Sequence, residues 1–191
     1  IEHAKSVRMG IKKSLMVVDM PYNTYRNPRE ALKNAKKIIF KTKCDAVKLE
    51  GGKKICGIVK TLAKNNIPVM GHLGVLPQFD KNFKSKGKKV VERNKILNDA
   101  KLLEASGVFS IVLECVESSL AKLVTKKINI PTIGIADMGD IRDAIEAMEN
   151  SGLSRTSITV LQCTTEYPAP YDEINLNAMK TIKDEFDVKI G

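Results

Sequence analysis

The chain has 191 residues, 43% of them hydrophobic and 5% aromatic with no Trp, and carries a net charge of +10. That length suits one domain able to bury a core, and no apolar run approaches the ~20 residues of a membrane span. The charge comes mostly from lysines spread along helix-like stretches, with one dense patch from Lys81 to Lys95. Spread lysine reads as solvated surface, and without a stacking aromatic series or a reader motif nucleic acid is a minor reading.

The opening IEHAKSVRMG lacks the apolar core and cleavage site of a signal peptide. It reads as part of a helix ended by Gly10, as though the chain began in mid-domain. A first strand over 14–19 closes on Asp19, and Pro21 forces the chain out of it. Asn27 before Pro28 marks a helix start, and Ala31, Ala35, Ile38 and Ile39 recur at helical spacing as its buried stripe. A strand over 46–50, a helix over 54–65 and a strand over 67–72 follow. From Leu73 to about Glu92 the pattern breaks into a Gly-, Pro- and Lys-rich interval, longer than the usual βα connection of ~2–6 residues. Such an interval on a catalytic rim is a lid or substrate loop, or equally a mobile basic surface loop.

Helical spacing returns with Ile96, Ala100, Leu103 and Ala105, up to Gly107. The apolar run 109–115 is a strand covered on both faces. A helix over 118–125, a strand over 130–135, a helix over 140–149, a strand over 157–163 and a helix over 176–186 complete the chain, with Val188, Lys189 and Ile190 beginning one more strand. Cys44, Cys56, Cys115 and Cys163 show no CxxC spacing and read as reduced thiols of a cytoplasmic protein rather than a metal cluster.

In VKLEGG, Val47 to Gly52, side chains alternate along a strand, so Lys48 and Glu50 share a face at its carboxyl end. VVDMPY with Asp19, VMGHLG with His72 and IVLEC with Glu114 end alike. Parallel strands that each deliver one functional group to a common rim have the layout of a barrel site. The fold class is therefore α/β, a (β/α) TIM-barrel type that is incomplete or recombined, with about six to seven parallel strands where a closed barrel has eight. The expected organisation is one barrel domain over 1–191, in portions 1–135 and 136–191.

Over residues 1–135 the chain resembles the ketopantoate hydroxymethyltransferase family, carried by DMPY, VKLEGG, PVMGHLGVLPQ, VLEC and IPTIGI in that family's order. Beyond Ile135, ADMGDIRDAIEAMENSG and ITVLQCTTEYPAPYDEINLNAMKTIKDEF resemble the sialic acid synthase family, which condenses phosphoenolpyruvate with an amino sugar. Joining two barrel families at a strand-to-loop boundary reads as a recombined or engineered chain, with a natural fusion second. The first family has an earlier strand ending in an Asp-Ser pair at the metal and substrate site, and this chain begins after it. The second often carries a His where Gln162 stands and a Ser-Asp-His motif that would follow Gly191.

The first resemblance implies a Mg²⁺-dependent transfer of a one-carbon unit from methylenetetrahydrofolate to the enolate of α-ketoisovalerate, giving ketopantoate for pantothenate biosynthesis. It makes Asp19 and Glu50 metal ligands, Asp19, Lys48 and His72 substrate-binding residues, and Glu114 the catalytic proton acceptor. Read as residues alone, Asp19 and Glu50 are rim acids paired with a lysine, and Lys48 is a surface lysine or a partner of Glu50. His72 divides evenly between site and structure. Glu114 ends an apolar strand whose surroundings favour a raised carboxyl pKa, or it only positions another group. Gln162, Thr164 and Thr165 can hydrogen-bond a carboxylate or phosphate, as strand-end groups do in any barrel. Alternatives are a phosphoenolpyruvate-condensing synthase and a non-catalytic chimeric scaffold. The expected partners are a small α-keto acid and a folate, with no membrane. Unpaired sheet edges point to a homo-oligomer, or to terminal helices packed over the edge, with slow or absent turnover.

Overall fold

The computed structural model describes residues 1–80, 84–135, 138–150, 152–160 and 177–190. The chain divides into two compact units, Ile1–Ile133 and Gly134–Gly191. Five parallel strands, β1 (Val17–Asp19), β2 (Ala46–Glu50), β3 (Val69–Gly74), β4 (Ser110–Glu114) and β5 (Thr132–Ile135), form one sheet in chain order. Helices connect them: α2 (Pro28–Thr42), α3 (Cys56–Lys64), α4 (Val90–Ser106) and α5 (Ser118–Lys127), with α1 (Glu2–Gly10) ahead of β1. This is the βα succession of the (β/α)-barrel class.

Local chemistry sets the element ends. Asn27 caps α2, its side chain accepting from Glu30 N at 2.9 Å, with Pro28 at the first helical position. Glu117 caps α5 through Ser119 N and Leu120 N at 3.1 and 3.2 Å. Gly107 ends α4 in the left-handed conformation, φ +102°. The first strand is shorter than its sequence implies: Ser14 and Leu15 are exposed, and Met16 is held mainly by Asp45, whose side chain accepts Met16 N and whose N donates to Met16 O. The helix expected from Lys54 opens as a 3-10 turn, Lys53–Ile55, because buried Asp99 on α4 accepts Lys53 N at 3.0 Å and caps that turn. On α4 the buried positions are Ile96, Asp99, Ala100, Leu103 and Ser106, and Ala105 is exposed, one position off the 3.6-residue stripe.

Parallel register places like-facing residues side by side. Val47 pairs with Val69, Leu49 with Gly71, Gly71 with Ile111, and Leu73 with Leu113. These residues face Ala31, Ala35, Ile38, Val59, Leu62, Ala100, Leu103 and Leu120 in one core cluster, from which water is excluded. The alternate residues form rungs on the opposite face: Asp19 with Lys48, Lys48 with Met70 and Met70 with Ser110, then Glu50 with His72 and His72 with Val112, then Gly74 with Glu114.

The second unit contains α6 (Met138–Glu149), α7 (Asn177–Phe186) and a two-stranded parallel sheet of β6 (Thr159–Val160) and β7 (Lys189–Ile190). Its core is Ile145, Ile158, Ile182, Phe186 and Val188. Arg155 forks onto Glu149 through Nε at 2.8 Å and Nη2 at 2.6 Å. The described residues thus hold seven strands, all paired in parallel where register is defined. Gln162, Thr164, Thr165 and Cys163 lie outside the described residues.

Candidate active site

Asp19, Glu50 and Glu114 end their strands, Lys48 and His72 lie two residues before the ends of theirs, and the polar face brings all five together. Lys48 Nζ is 2.9 Å from Asp19 Oδ1 on the same rung and reaches one rung on to His72 Nδ1 at 3.1 Å. An ammonium can only donate, so Nδ1 is the acceptor of that contact, and Nε2 is the other ring nitrogen. That nitrogen is 3.1 Å from Glu114 Oε2, which is ion-pair distance. The oxygen lies off the ring N–H direction, and buried Nε2 has no directed hydrogen-bond partner among the described residues. Glu50 Oε1 is 3.8 Å from His72 Nδ1. His72 is 1% exposed, and Glu50 and Glu114 are each 3% exposed, as buried as the apolar core, while Asp19 and Lys48 at the other end of the cluster are half-buried.

Buried charge is costly unless it is paired. Burial pushes the Glu50 carboxyl above the usual carboxylate range, opposed by the Gln78 N–H, by His72 and by the Lys48 ammonium. Three carboxyl groups gather around one ammonium and one imidazole. The excess negative charge is what a divalent cation would neutralise. Mg²⁺ takes one or two protein carboxylates and completes its shell from water and substrate, and Asp19 and Glu50 carry oxygen donors of that chemical type. An all-protein cage does not fit: among the described residues no group of three or more His, Cys, Asp or Glu is placed to hold an ion.

Sequence reasoning assigned no role to Gln78, although it closes the matched motif PVMGHLGVLPQ. Its backbone N donates to Glu50 Oε2 at 3.0 Å, its Nε2 donates to Met20 O at 3.0 Å, and its Oε1 accepts from Tyr25 OH at 2.7 Å. A single residue beyond β3 thereby holds the β1 exit through its side chain and the β2 exit through its backbone N–H. Tyr25 is buried, which raises its phenol to about 12. Gly74 matters through its absent side chain. At φ +99°, a Cβ there would fall 2.1 Å from Glu114 O, which already accepts Val75 N at 2.8 Å. The interval after β3 is correspondingly anchored: Val75 is fully buried, and Lys86 N donates to Cys115 O at 2.8 Å.

A cavity in the second unit, lined by Arg142, Ile145, Glu146, Arg155, Glu185 and Phe186, includes none of these strand-end residues, and both of its arginines are paired with glutamates.

Ionisable side chains gathered at the carboxyl ends of neighbouring parallel strands place the chain in the (β/α)-barrel class of α/β proteins. Residues 1–144 match the family model described as ketopantoate hydroxymethyltransferase, and the chain belongs to that family. Residues 113–191 match the NeuB family model, so the two matches share 113–144. The chain is 76% identical over 135 residues to the 3-methyl-2-oxobutanoate hydroxymethyltransferase of Pelagibacter ubique (strain HTCC1062), covering 71% of this chain and 52% of that protein. The enzyme of the same name from a Nitratiruptor species is 48% identical over 136 residues, with 71% and 52% covered. The chain spans about half the length of these curated relatives. Among solved structures, YagE of E. coli K12, a prophage protein of the dihydrodipicolinic acid synthase family, aligns with TM-score 0.49 at 10% identity, over 92% of this chain and 63% of that one. No helix among the described residues is long and apolar enough to cross a membrane.

Proposed function

We propose that the chain carries a hydroxymethyl-transfer site that binds α-ketoisovalerate and methylenetetrahydrofolate and forms ketopantoate in the cytoplasm. The observation that carries this reading is the run of contacts from half-buried Asp19 and Lys48 to buried His72 and Glu114, with Glu50 beside His72. Its support is the family membership and the names of the relatives.

On this reading Asp19 and Glu50 hold Mg²⁺, which when bound polarises the keto group of the substrate. Lys48 supplies fixed positive charge beside the substrate carboxylate, and His72, held between Lys48 at Nδ1 and Glu114 at Nε2, hydrogen-bonds the substrate. Glu114 accepts the proton from the carbon next to the keto group. The C–H electron pair becomes that of the enolate, which bonds to the carbon that the folate delivers. Water supplies the hydroxyl oxygen to that methylene carbon before the enolate bonds to it. The two folate nitrogens take water's protons and depart as tetrahydrofolate, and the carbonyl oxygen of the formaldehyde so released takes the proton held by Glu114 when the enolate adds. Within the described residues β1 and β5 are the sheet edges, and edge donors and acceptors favour pairing with a second copy.

Titration with α-ketoisovalerate, with and without Mg²⁺, tests the reading, alongside turnover with methylenetetrahydrofolate and mass by light scattering. The expected result is Mg²⁺-dependent keto-acid binding with slow turnover by a homo-oligomer. The match of residues 113–191 to the NeuB model favours one second reading, a phosphoenolpyruvate-condensing synthase. Binding of phosphoenolpyruvate with no keto-acid binding would select it, and binding of neither would leave a chimeric scaffold.

A further inference from the structure

Beside the ionic cluster the rim carries an aromatic pair that the proposed chemistry does not use. Tyr22 and Phe79 are 55% and 52% exposed, yet their rings meet edge to face with centroids 5.4 Å apart and planes at 80°. Tyr22 lies on a turn closed by Thr24, whose N and Oγ1 donate to Pro21 O at 3.1 and 2.6 Å. Phe79 lies on a turn closed by its own N donating to Leu76 O at 2.8 Å and by Leu76 N donating to Asp80 Oδ2 at 2.9 Å. Gln78 fastens the second turn to Met20 at the foot of the first and to Glu50 in the cluster. Two large rings are thus held in place without being buried, so apolar surface stays in water next to a site.

A basic segment follows. Lys86 Nζ is 3.4 Å from Asp80 Oδ2, on the residue after Phe79. Lys84, Lys88 and Lys89 are exposed and have no ion-pair partner among the described residues. An edge-to-face pair leaves a ring face open for offset stacking of a flat heteroaromatic, and unpaired lysines attract an anionic tail. A small aliphatic keto acid uses neither feature.

We infer that Tyr22 and Phe79 form the stacking platform for the bicyclic ring of a reduced folate, whose glutamate tail is drawn by Lys84, Lys88 and Lys89. The inference rests on the hydroxymethyl-transfer reading and assigns its co-substrate a place.

Calorimetry on the full chain, with tetrahydrofolate and separately with α-ketoisovalerate plus Mg²⁺, tests it. Tyr22→Ala with Phe79→Ala is expected to weaken tetrahydrofolate about tenfold or more and leave keto-acid affinity unchanged. Tyr22→Phe should retain both, because it keeps the ring. Lys84→Ala, Lys88→Ala and Lys89→Ala together should weaken tetrahydrofolate but not tetrahydropteroate, which lacks the glutamate, and the difference should shrink in high salt. Unchanged tetrahydrofolate affinity in the aromatic double variant overturns the platform while keto-acid binding keeps the parent reading standing. Keto-acid binding by the unaltered chain without any tetrahydrofolate binding does the same. An unaltered chain that binds neither ligand overturns both.

Discussion

The two faces of the five-stranded sheet come from one alternation and hold opposite contents. Val47, Leu49, Val69 and Ile111 are fully buried in an apolar core, while their immediate neighbours Lys48, Glu50, Met70, Ser110 and Val112 point the other way. Glu50, His72 and Glu114 are buried almost as deeply as the core. Burial therefore does not separate scaffold from site here. On the apolar face each buried atom adds transfer free energy. On the polar face each buried charge costs several kcal/mol, offset only where a partner is in reach. Lys48 and Gln78 are those partners, and their small number leaves the negative excess that a metal would answer.

The comparison breaks most sharply at the carboxylates. Asp19→Asn combined with Glu50→Gln is expected to abolish Mg²⁺-dependent binding of α-ketoisovalerate while circular dichroism stays native. Unchanged affinity by calorimetry would mean that the polar face holds no metal and the charge excess has another purpose.

One position away, the opposite result is expected. Leu49→Ala should cost ~2–5 kcal/mol of stability, since it removes a fully buried side chain from a packed face. Urea midpoints measure it, and keto-acid affinity of the molecules that remain folded should be unchanged. A loss of affinity equal to that of the carboxylate variants would show that the two faces are not independent.

Tyr25→Phe gives the smallest effect, about 1 kcal/mol at neutral pH for the hydrogen bond to Gln78. Its pH dependence has a definite sign. The folded phenol, at about 12, lies above its ordinary value of 10.0, so its contribution is fully present below pH 10 and is lost as pH rises towards 12. Absorbance titration should lose one late-titrating tyrosine in the variant, and alkaline unfolding between those pH values should become shallower. A variant titrating like the parent would place the late phenol elsewhere.

Much of this site was legible locally. The shared face of Lys48 and Glu50 follows from strand alternation, and Asn27 and Pro28 mark the start of α2 by capping chemistry alone. One position was misplaced: the α4 stripe runs through Ser106 instead of Ala105, because a helix turns by 3.6 residues and a residue two beyond Leu103 falls on the far face. Gln78 stood inside a recognised motif, yet nothing in its neighbours announces a residue that holds one strand exit by its side chain and another by its backbone N–H.

The sequence by itself determined the order of strands and helices, the parity of each strand and the family to which the chain belongs, since these depend on residues close in the chain or on motif order. Only the tertiary structure decided which groups touch. Lys48 and His72 are 24 residues apart and Glu50 and Gln78 are 28 apart. Their contacts exist because parallel register sets neighbouring strands to the same height, and hydrogen bonds only a few ångströms long are decided by that register.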